Sequence, residues 1–481
     1  MPEPNKLNRG SMASETAEAM QMDLHRHEEM LDAQAGPTAD GEASPSNDNQ
    51  QQHQQWSARI EYHFEQDIVR LRSTGRTLCD KVAAASLDKG GVTLNFCKAL
   101  QWSPDGTCVL TSTNDNKFRL FENPTNVGWD AAESPTDVPL APVLTIPEPE
   151  AVYDFAWYPQ MTSADPSTCC FLSTVRDHPI RLWDAYTGQM RASYTAFDHM
   201  DQVQAPNSLT FNLDGTKMYC GSNNLIQIFD IHRPGNECLR RPTTPNRKSK
   251  EGQKGLISSI AFNPDFSGMY AVGSYFGSIG LYDERNDELL HQIILEKGRG
   301  VTQVEFSRDG TQLFYTSRKT NSIICRDLRN SGDVLATFAR SGNTNQRIGF
   351  SLDPSGRYLS TGDDTGRILI YDLQTKALLK EFQAHDDTVS SASFHPSLPL
   401  FASCSGQRQD ILLERVVYDA NGRVEYIVCA DIFDTEDGHD PGVNGARTPV
   451  DSSLAMWRLP HEWISITDVP ETGASEAQDP T

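Results

Sequence analysis

The sequence lacks long apolar runs and paired cysteines. No stretch of about 18 consecutive apolar residues occurs, so we expect no transmembrane helix. The polar N-terminus has no apolar core of the kind that a secretory signal needs. The ten cysteines form no Cys-x-x-Cys pair and show no Cys/His spacing typical of metal sites. We therefore predict free thiols in a reducing compartment, the cytosol or the nucleus.

Motifs of common enzyme classes are also missing. There is no phosphate-binding G-x-x-x-x-G-K-[ST], no nucleophile G-x-S-x-G and no metal-binding H-E-x-x-H. Gly273, Gly277 and Gly280 have the wrong spacing for a dinucleotide loop, and the twelve histidines do not pair at metal spacing. We therefore predict that the protein is not an enzyme and needs no metal or other cofactor.

Basic residues are outnumbered, and the excess of acids is unevenly placed. The net charge is −23, of which residues 1–55 carry −7, residues 409–452 carry −7 and residues 461–481 carry −5. The rest of the chain therefore holds only −4. We predict a disordered polar tail over 1–55, an acidic insertion over 409–452 and an acidic tail over 461–481.

A repeat runs through the remaining chain. Each copy has an apolar strand ending in an aromatic residue, a short turn, a second strand, a polar turn and a third strand ending near an aspartate. The matching aromatics are Trp102, Trp157, Phe211, Phe262, Phe306, Phe350 and Phe394, with spacings of 55, 54, 51, 44, 44 and 44 residues. A period near 44 fits four strands per copy, as in WD-type propeller blades of about 40–45 residues.

Seven copies predict an all-β protein, a seven-bladed WD40-type β-propeller over residues 56–460. Asp-Gly pairs at 105–106, 214–215 and 309–310 predict tight hairpins between the first two strands. The segment Ser57–Arg72 is expected to supply the strand that closes the ring, because an unpaired edge strand promotes aggregation. Within the acidic insertion, residues around Asn421-Gly422 predict a hairpin that extends the strands of blade seven.

One face of such a ring carries the loops between second and third strands and those between blades. Cationic, aromatic and polar side chains are expected there: Arg176, His178, Tyr275, Phe276, Arg318, Lys319, Arg347, Gln407 and Arg408. Guanidinium groups and aromatic rings stack on the bases of single-stranded RNA, while cations contact phosphates. These residues are candidates for RNA binding; alternatively, they are ordinary solvated turn residues.

A second basic element lies between blades three and four. The run RRPTTPNRKSKEGQK contains six bases and one acid. Its basic residues are Arg240, Arg241, Arg247, Lys248, Lys250 and Lys254. This loop could contact phosphates, act as a nuclear-import signal or simply be a solvated surface loop.

Several long fragments resemble one family. They are VYDFAWY, IRLWDAYTGQMRASYTAFDH, GLISSIAFNP with AVGSYFGSIGLYD, TNQRIGFSLDPSGRYLSTGDDTG and SFHPSLPLFASCSGQR. These fragments are similar to those of the telomerase Cajal body protein 1 family, and the resemblance runs almost continuously from Phe96 to Arg408. The acidic interruption after SGQR is shared with that family. Tyr275, Arg318, Lys319, Arg347 and Arg408 lie inside the matching motifs.

The resemblance implies an RNA-binding adaptor. Members of that family recognise a short box in the loop of small Cajal body-specific RNAs of the H/ACA class, and of telomerase RNA where it carries the box. The implied partners are these RNAs, H/ACA core proteins, the telomerase particle and Cajal body components. The implied location is the nucleus and its Cajal bodies, with the cytoplasm also open. The alternative function is a protein–protein scaffold of nuclear complexes without direct RNA contact.

Overall fold

The fold is a ring of antiparallel β-sheets. A computed structural model describes residues 58–74, 91–93, 95–123, 139–198, 200–246, 249, 251–286, 288–295, 299–330, 333–342, 344–407, 410–418, 424–429, 447–448 and 453–465. Residues 59–464 form one compact unit. None of the described helical residues forms a segment long and apolar enough to cross a membrane.

The strands follow in chain order. Before the first blade lie β1 (Ala58–Tyr62), β2 (Val69–Ser73) and β3 (Gly91–Thr93). Blade one contains β4 (Cys97–Trp102), β5 (Cys108–Thr113), β6 (Lys117–Glu122) and β7 (Leu144–Pro147). Blade two contains β8 (Val152–Trp157), a short 3-10 helix (Pro166–Thr168), β9 (Cys170–Val175), β10 (Ile180–Asp184) and β11 (Met190–Tyr194). Blade three contains β12 (Ser208–Phe211), β13 (Lys217–Ser222), β14 (Leu225–Asp230) and β15 (Leu239–Pro242).

The second half of the ring continues the pattern. Blade four contains β16 (Ile257–Phe262), β17 (Met269–Ser274), β18 (Ser278–Asp283) and β19 (Leu289–Ile294). Blade five contains β20 (Val301–Phe306), β21 (Gln312–Ser317), β22 (Ser322–Asp327) and β23 (Val334–Ala339). Blade six contains β24 (Phe350–Leu352), β25 (Tyr358–Gly362), β26 (Arg367–Asp372) and β27 (Leu378–Gln383). The last strands are β28 (Val389–Phe394), β29 (Leu400–Ser405), β30 (Asp410–Tyr418), β31 (Val424–Cys429), β32 (Arg447–Thr448), β33 (Leu454–Arg458) and β34 (His461–Ser465).

Blade seven closes the ring with a strand from the start of the chain. Its order is β28-β29-β33-β2, and Val69 pairs with Arg458 in the outer ladder. Leu71 of β2 is buried, so the closing strand contributes to the core as well as to the hydrogen bonding. The predicted closing segment is therefore confirmed, as is the seven-bladed all-β fold.

The ends of the propeller differ in detail from the predicted boundaries. Strand β34 pairs with β1 in a two-stranded sheet, so residues 461–465 of the predicted acidic tail are structured. The tail over residues 1–55 and the rest of 461–481 lie outside the described residues.

The insertion in blade seven forms the predicted hairpin, but the hairpin does not extend that blade. Strands β30 and β31 are antiparallel neighbours, with Val416 opposite Ile427. They form a separate sheet of order β3-β30-β31-β32. The predicted extension is wrong because the position beside β29 is already taken by β33, whose Arg458 pairs with Leu400.

The turns that follow the inner strands of three blades contain a glycine in the left-handed conformation. Gly106, Gly215 and Gly310 occupy the predicted Asp-Gly turns with φ of +74°, +74° and +71°, a backbone conformation that favours glycine.

In blade six, Leu352 pairs with Leu359 where Phe306 pairs with Leu313 in blade five. Leu352 is therefore the structural equivalent of the repeating aromatic. Phe350, the predicted one, lies two residues earlier on the same side of the strand.

Candidate functional site

Three neighbouring blades, four, five and six, contribute to one continuous group of side chains on a single face. Successive strands of a blade run in opposite directions, so the turns between second and third strands lie at the same end as the loops that enter first strands. Tyr275 and Phe276 occupy this turn in blade four, and Arg318 and Lys319 occupy it in blade five. Tyr275 is 44% exposed and Phe276 is 72% exposed. Large rings at this exposure are available for stacking.

Arg318 is oriented by neutral groups. Its guanidinium carbon lies 5.6 Å from the centre of the Tyr275 ring, and its Nη2 donates to Oδ1 of Asn345 at 3.1 Å. A ring and an amide fix the direction of the guanidinium without neutralising it, so its charge remains available to an incoming anion. Lys319 beside it is exposed and adopts a positive φ of 53°.

The loop that enters blade six connects this pair to the rest of the face. Asn345 accepts the hydrogen bond from Arg318. Gln346 donates through Nε2 to the carbonyl oxygen of Gly406 in blade seven at 2.8 Å. Arg347 points across the central channel, with Nη1 3.8 Å from Oδ1 of Asp154 in blade two. Three consecutive residues therefore contact three different blades. We call Tyr275, Phe276, Arg318, Lys319, Asn345, Gln346 and Arg347 the recognition arc.

A buried arginine at the start of the same loop holds it in place. Nη1 of Arg340 donates to the carbonyl oxygen of Ile348 at 3.0 Å and to Oγ1 of Thr361 at 2.7 Å. Its Nη2 donates to Oγ1 of Thr316 in blade five at 2.9 Å. Burial lowers the pKa of Arg340 to about 10, with two nearby aspartates acting in the opposite direction. These hydrogen bonds join the loop to blades five and six and fix its backbone.

The remaining predicted residues of this face are only partly joined to the arc. Gln407 follows Gly406, which accepts the bond from Gln346, and it is half-buried. Arg408 lies outside the described residues. Arg176 and His178 occupy the corresponding turn of blade two, where His178 Nδ1 lies 2.7 Å from the carbonyl oxygen of Arg176. These two therefore stand apart from the recognition arc, on a different part of the ring.

The basic residues predicted to form a loop between blades three and four differ in their exposure. Arg241 is only 7% exposed: it bonds the hydroxyl of Tyr270 and lies 4.6 Å from the ring centre of Tyr282. Its assignment to a phosphate-binding or import loop is wrong, because β15 turns this side chain into the interface with blade four. Arg240 is exposed and donates to the carbonyl oxygen of Phe197 at 2.9 Å. Lys254 is half-buried, and Arg247, Lys248 and Lys250 lie outside the described residues.

The central channel was missed by reasoning from the sequence. Inner strands of six blades line a cavity of about 440 Å³. Charged side chains around it are Lys98, Asp154, Glu305, Arg308 and Arg347. Burial raises the pKa of Glu305 to about 7, against the opposing effect of Arg308. Alternation along the inner strands is the signal that could have found these side chains, since every second residue faces the channel.

Metal binding finds no support among the side chains whose positions are described. No group of three or more His, Cys, Asp or Glu residues in that part of the chain could hold a metal ion. The cysteines that it contains are free thiols, and most are buried.

The closed ring of four-stranded blades defines the class of protein as a WD-repeat β-propeller. A family model described as "WD domain, G-beta repeat" matches residues 91–122, which end in blade one, and residues 376–409, which run from the last strand of blade six into blade seven. Telomerase Cajal body protein 1 of Bos taurus is 39% identical over 320 residues, which cover 65% of this chain and 58% of the relative.

More distant species carry similar chains. The telomerase Cajal body protein 1 homolog of Drosophila melanogaster is 32% identical, covering 65% of this chain and 57% of the relative. Guanine nucleotide-binding protein negative regulator 1 of Schizosaccharomyces pombe is 31% identical, covering 66% of this chain and 80% of the relative. The chain belongs to the telomerase Cajal body protein 1 family. It spans less than two thirds of the length of the bovine and fly relatives.

Proposed function

We propose that this protein is an RNA-binding adaptor that uses the recognition arc to hold a short single-stranded box in an RNA loop. The observation that carries the proposal is the Arg318 guanidinium, fixed between Tyr275 and Asn345 with its charge uncompensated by either. Phe276 beside it offers a second exposed ring. Rings stack on bases of any sequence, and guanidinium groups contact both bases and phosphates.

The proposed RNA class is the one that the family resemblance implies, and the names of the relatives support its cellular setting. Telomerase and the Cajal body appear in those names. The proposed cargo is small Cajal body-specific RNA of the H/ACA class, and telomerase RNA where it carries the box. In this proposal the protein delivers such particles to Cajal bodies in the nucleus and supports telomerase assembly. H/ACA core proteins and Cajal body components are its further partners.

Crosslinking in cells followed by sequencing of the copurified RNA tests the cargo. H/ACA guide RNAs that share a loop box are the expected enrichment. Ribosomal background alone would contradict the proposal. If nuclease treatment leaves every partner bound and no RNA class is retained, the protein is instead a protein–protein scaffold.

A charge-matched pair of variants tests the site. Arg318→Ala with Lys319→Ala removes two charges from the recognition arc. Arg233→Ala with Arg285→Ala removes two exposed charges from turns at the opposite end of the blades. We expect the first pair alone to weaken binding of the enriched RNA. For single-stranded RNA, each lost phosphate contact should make the plot of log binding constant against log salt concentration shallower by a slope of about 0.7. If the two double variants lose RNA affinity equally, the recognition arc is not the RNA-binding site.

A further inference from the structure

An ion pair crosses the central channel beside the recognition arc. Nη1 of Arg347, in the loop entering blade six, lies 3.8 Å from Oδ1 of Asp154 on the inner strand of blade two. The arginine side chain is 42% exposed and the aspartate side chain is 17% exposed. One partner is therefore open to solvent and the other is largely enclosed.

Asp154 is fixed in position by partners on two sides, Arg347 across the channel and the backbone of blade three. The second carboxylate oxygen of Asp154 accepts a hydrogen bond from the backbone N–H of Leu209 in blade three at 3.1 Å. Burial raises the pKa of Asp154, and Arg347 acts against that rise. The enclosed carboxylate is thus stabilised as an anion by the guanidinium across the channel.

RNA phosphate would compete for the same guanidinium. Arginine pairs with phosphate and with carboxylate through the same planar set of donors. Arg347 lies two residues after Asn345, which holds Arg318 in the recognition arc. An RNA backbone bound along the arc would extend to Arg347 at the channel mouth, where Asp154 pairs with the arginine in the free protein.

We propose that Asp154 is a built-in competitor of RNA: it holds Arg347 in the channel until an RNA phosphate replaces the carboxylate. This competition rests on the proposed function and adds a control to it. It weakens binding of any phosphate chain that contacts the channel mouth alone. An RNA that also engages Tyr275 and Arg318 gains enough from those contacts to displace Asp154.

Asp154→Asn tests the competition, because it retains the shape and removes the charge. We expect the variant to bind the RNA copurified from cells roughly two- to tenfold more tightly than wild type. Its plot of log binding constant against log salt concentration should be steeper by a slope of about 0.7, as for one additional phosphate contact. Asp177→Asn removes a charge from an exposed turn of blade two on the same face and serves as the matched control. Thermal unfolding confirms that each variant is folded.

The double variant Asp154→Asn with Arg347→Gln separates competition from general electrostatics. In the Arg347→Gln background we expect the Asp154→Asn gain to disappear. Unchanged or weaker binding by Asp154→Asn would overturn the competition and leave the proposed function standing. A gain that persists without Arg347, or that Asp177→Asn reproduces, would overturn it as well. Failure of both wild type and Asp154→Asn to retain RNA rejects the competition together with the proposed function.

Discussion

The contact between blades seven and one depends on a neutral histidine, so we expect acid to weaken it. His395 follows the inner strand of blade seven and is buried. Its Nδ1 accepts hydrogen bonds from the backbone N–H groups of Ser397 at 3.0 Å and Leu398 at 2.9 Å. The proton therefore resides on Nε2, which donates to the carbonyl oxygen of Gly106 in blade one at 2.8 Å.

Protonation of Nδ1 would remove both of its accepted hydrogen bonds and leave a charge in the interface. Burial lowers the pKa of His395 from 6.5 to about 4. Because the folded state favours the neutral ring, this stabilisation is complete above pH 6.5 and is lost as the pH falls from 6.5 to 4. The full effect amounts to roughly 3 kcal/mol, of which roughly 2 kcal/mol is lost by about pH 5.

Blade four shows which residue can replace the histidine. Asn263 occupies the equivalent position there: its Nδ2 donates to the carbonyl oxygen of Gly310 at 3.1 Å, and its Oδ1 accepts from the N–H of Asp265 at 3.3 Å. His395→Asn therefore keeps a donor and an acceptor but cannot titrate. Between about pH 7.5 and 5, we expect wild type to lose roughly 2 kcal/mol more of its free energy of unfolding than this variant.

Guanidinium denaturation at a series of pH values measures this difference. The other titrating groups are common to both proteins, so their contributions cancel in the comparison. A general loss of stability in His395→Asn leaves the test intact, because the readout is the pH dependence. Parallel pH profiles would refute the reasoning, and so would a pKa near 6.5 for the His395 ring in an NMR titration of the folded protein.

Three further changes have defined outcomes. Since burial raises the Glu305 pKa from 4.5 to about 7, its stabilising contribution is lost as the pH rises through that range. Glu305→Gln should therefore raise the free energy of unfolding by roughly 1–3 kcal/mol at about pH 8 and change it little below about pH 4.5, measured by urea denaturation. Tyr275→Leu should weaken RNA binding about 5- to 100-fold in a filter-binding assay, whereas Tyr275→Phe should not; equal losses would contradict stacking. Leu71→Ala, in the closing strand, should cost about 2–3 kcal/mol in a denaturant titration; no loss would mean that ring closure contributes little.

Local signals made the fold predictable. The spacing of the inner-strand aromatics gave the number of blades, and the Asp-Gly turns occupy the positive-φ positions where glycine is favoured. The closing strand β2 was predictable because an open ring leaves blade seven with an unpaired edge. In the insertion, the Asn421-Gly422 signal predicted the hairpin, but a turn motif does not identify the strand that pairs with its outer side.

Long-range contacts explain what the sequence did not show. Arg241 belongs to a run of basic residues that is typical of an exposed loop, yet it packs against Tyr270 and Tyr282 of the next blade. Asn345 and Gln346 of the recognition arc show the opposite: no sequence motif marks them as functional residues. Their importance comes from the blades that they join.

In the proposed function, the partners of each arginine, rather than the net charge of the chain, decide which cations are available to bind RNA. Arg119 and Arg367 bond carboxylates within their own blades, with Asp115 and Asp363, so their charge is already matched. Arg318 instead contacts a ring and an amide, and its charge is retained for a ligand. A strongly acidic chain discourages nonspecific phosphate binding. Such a chain can therefore bind RNA selectively if the few uncompensated cations act together with stacking rings, so that only an RNA satisfying both is retained.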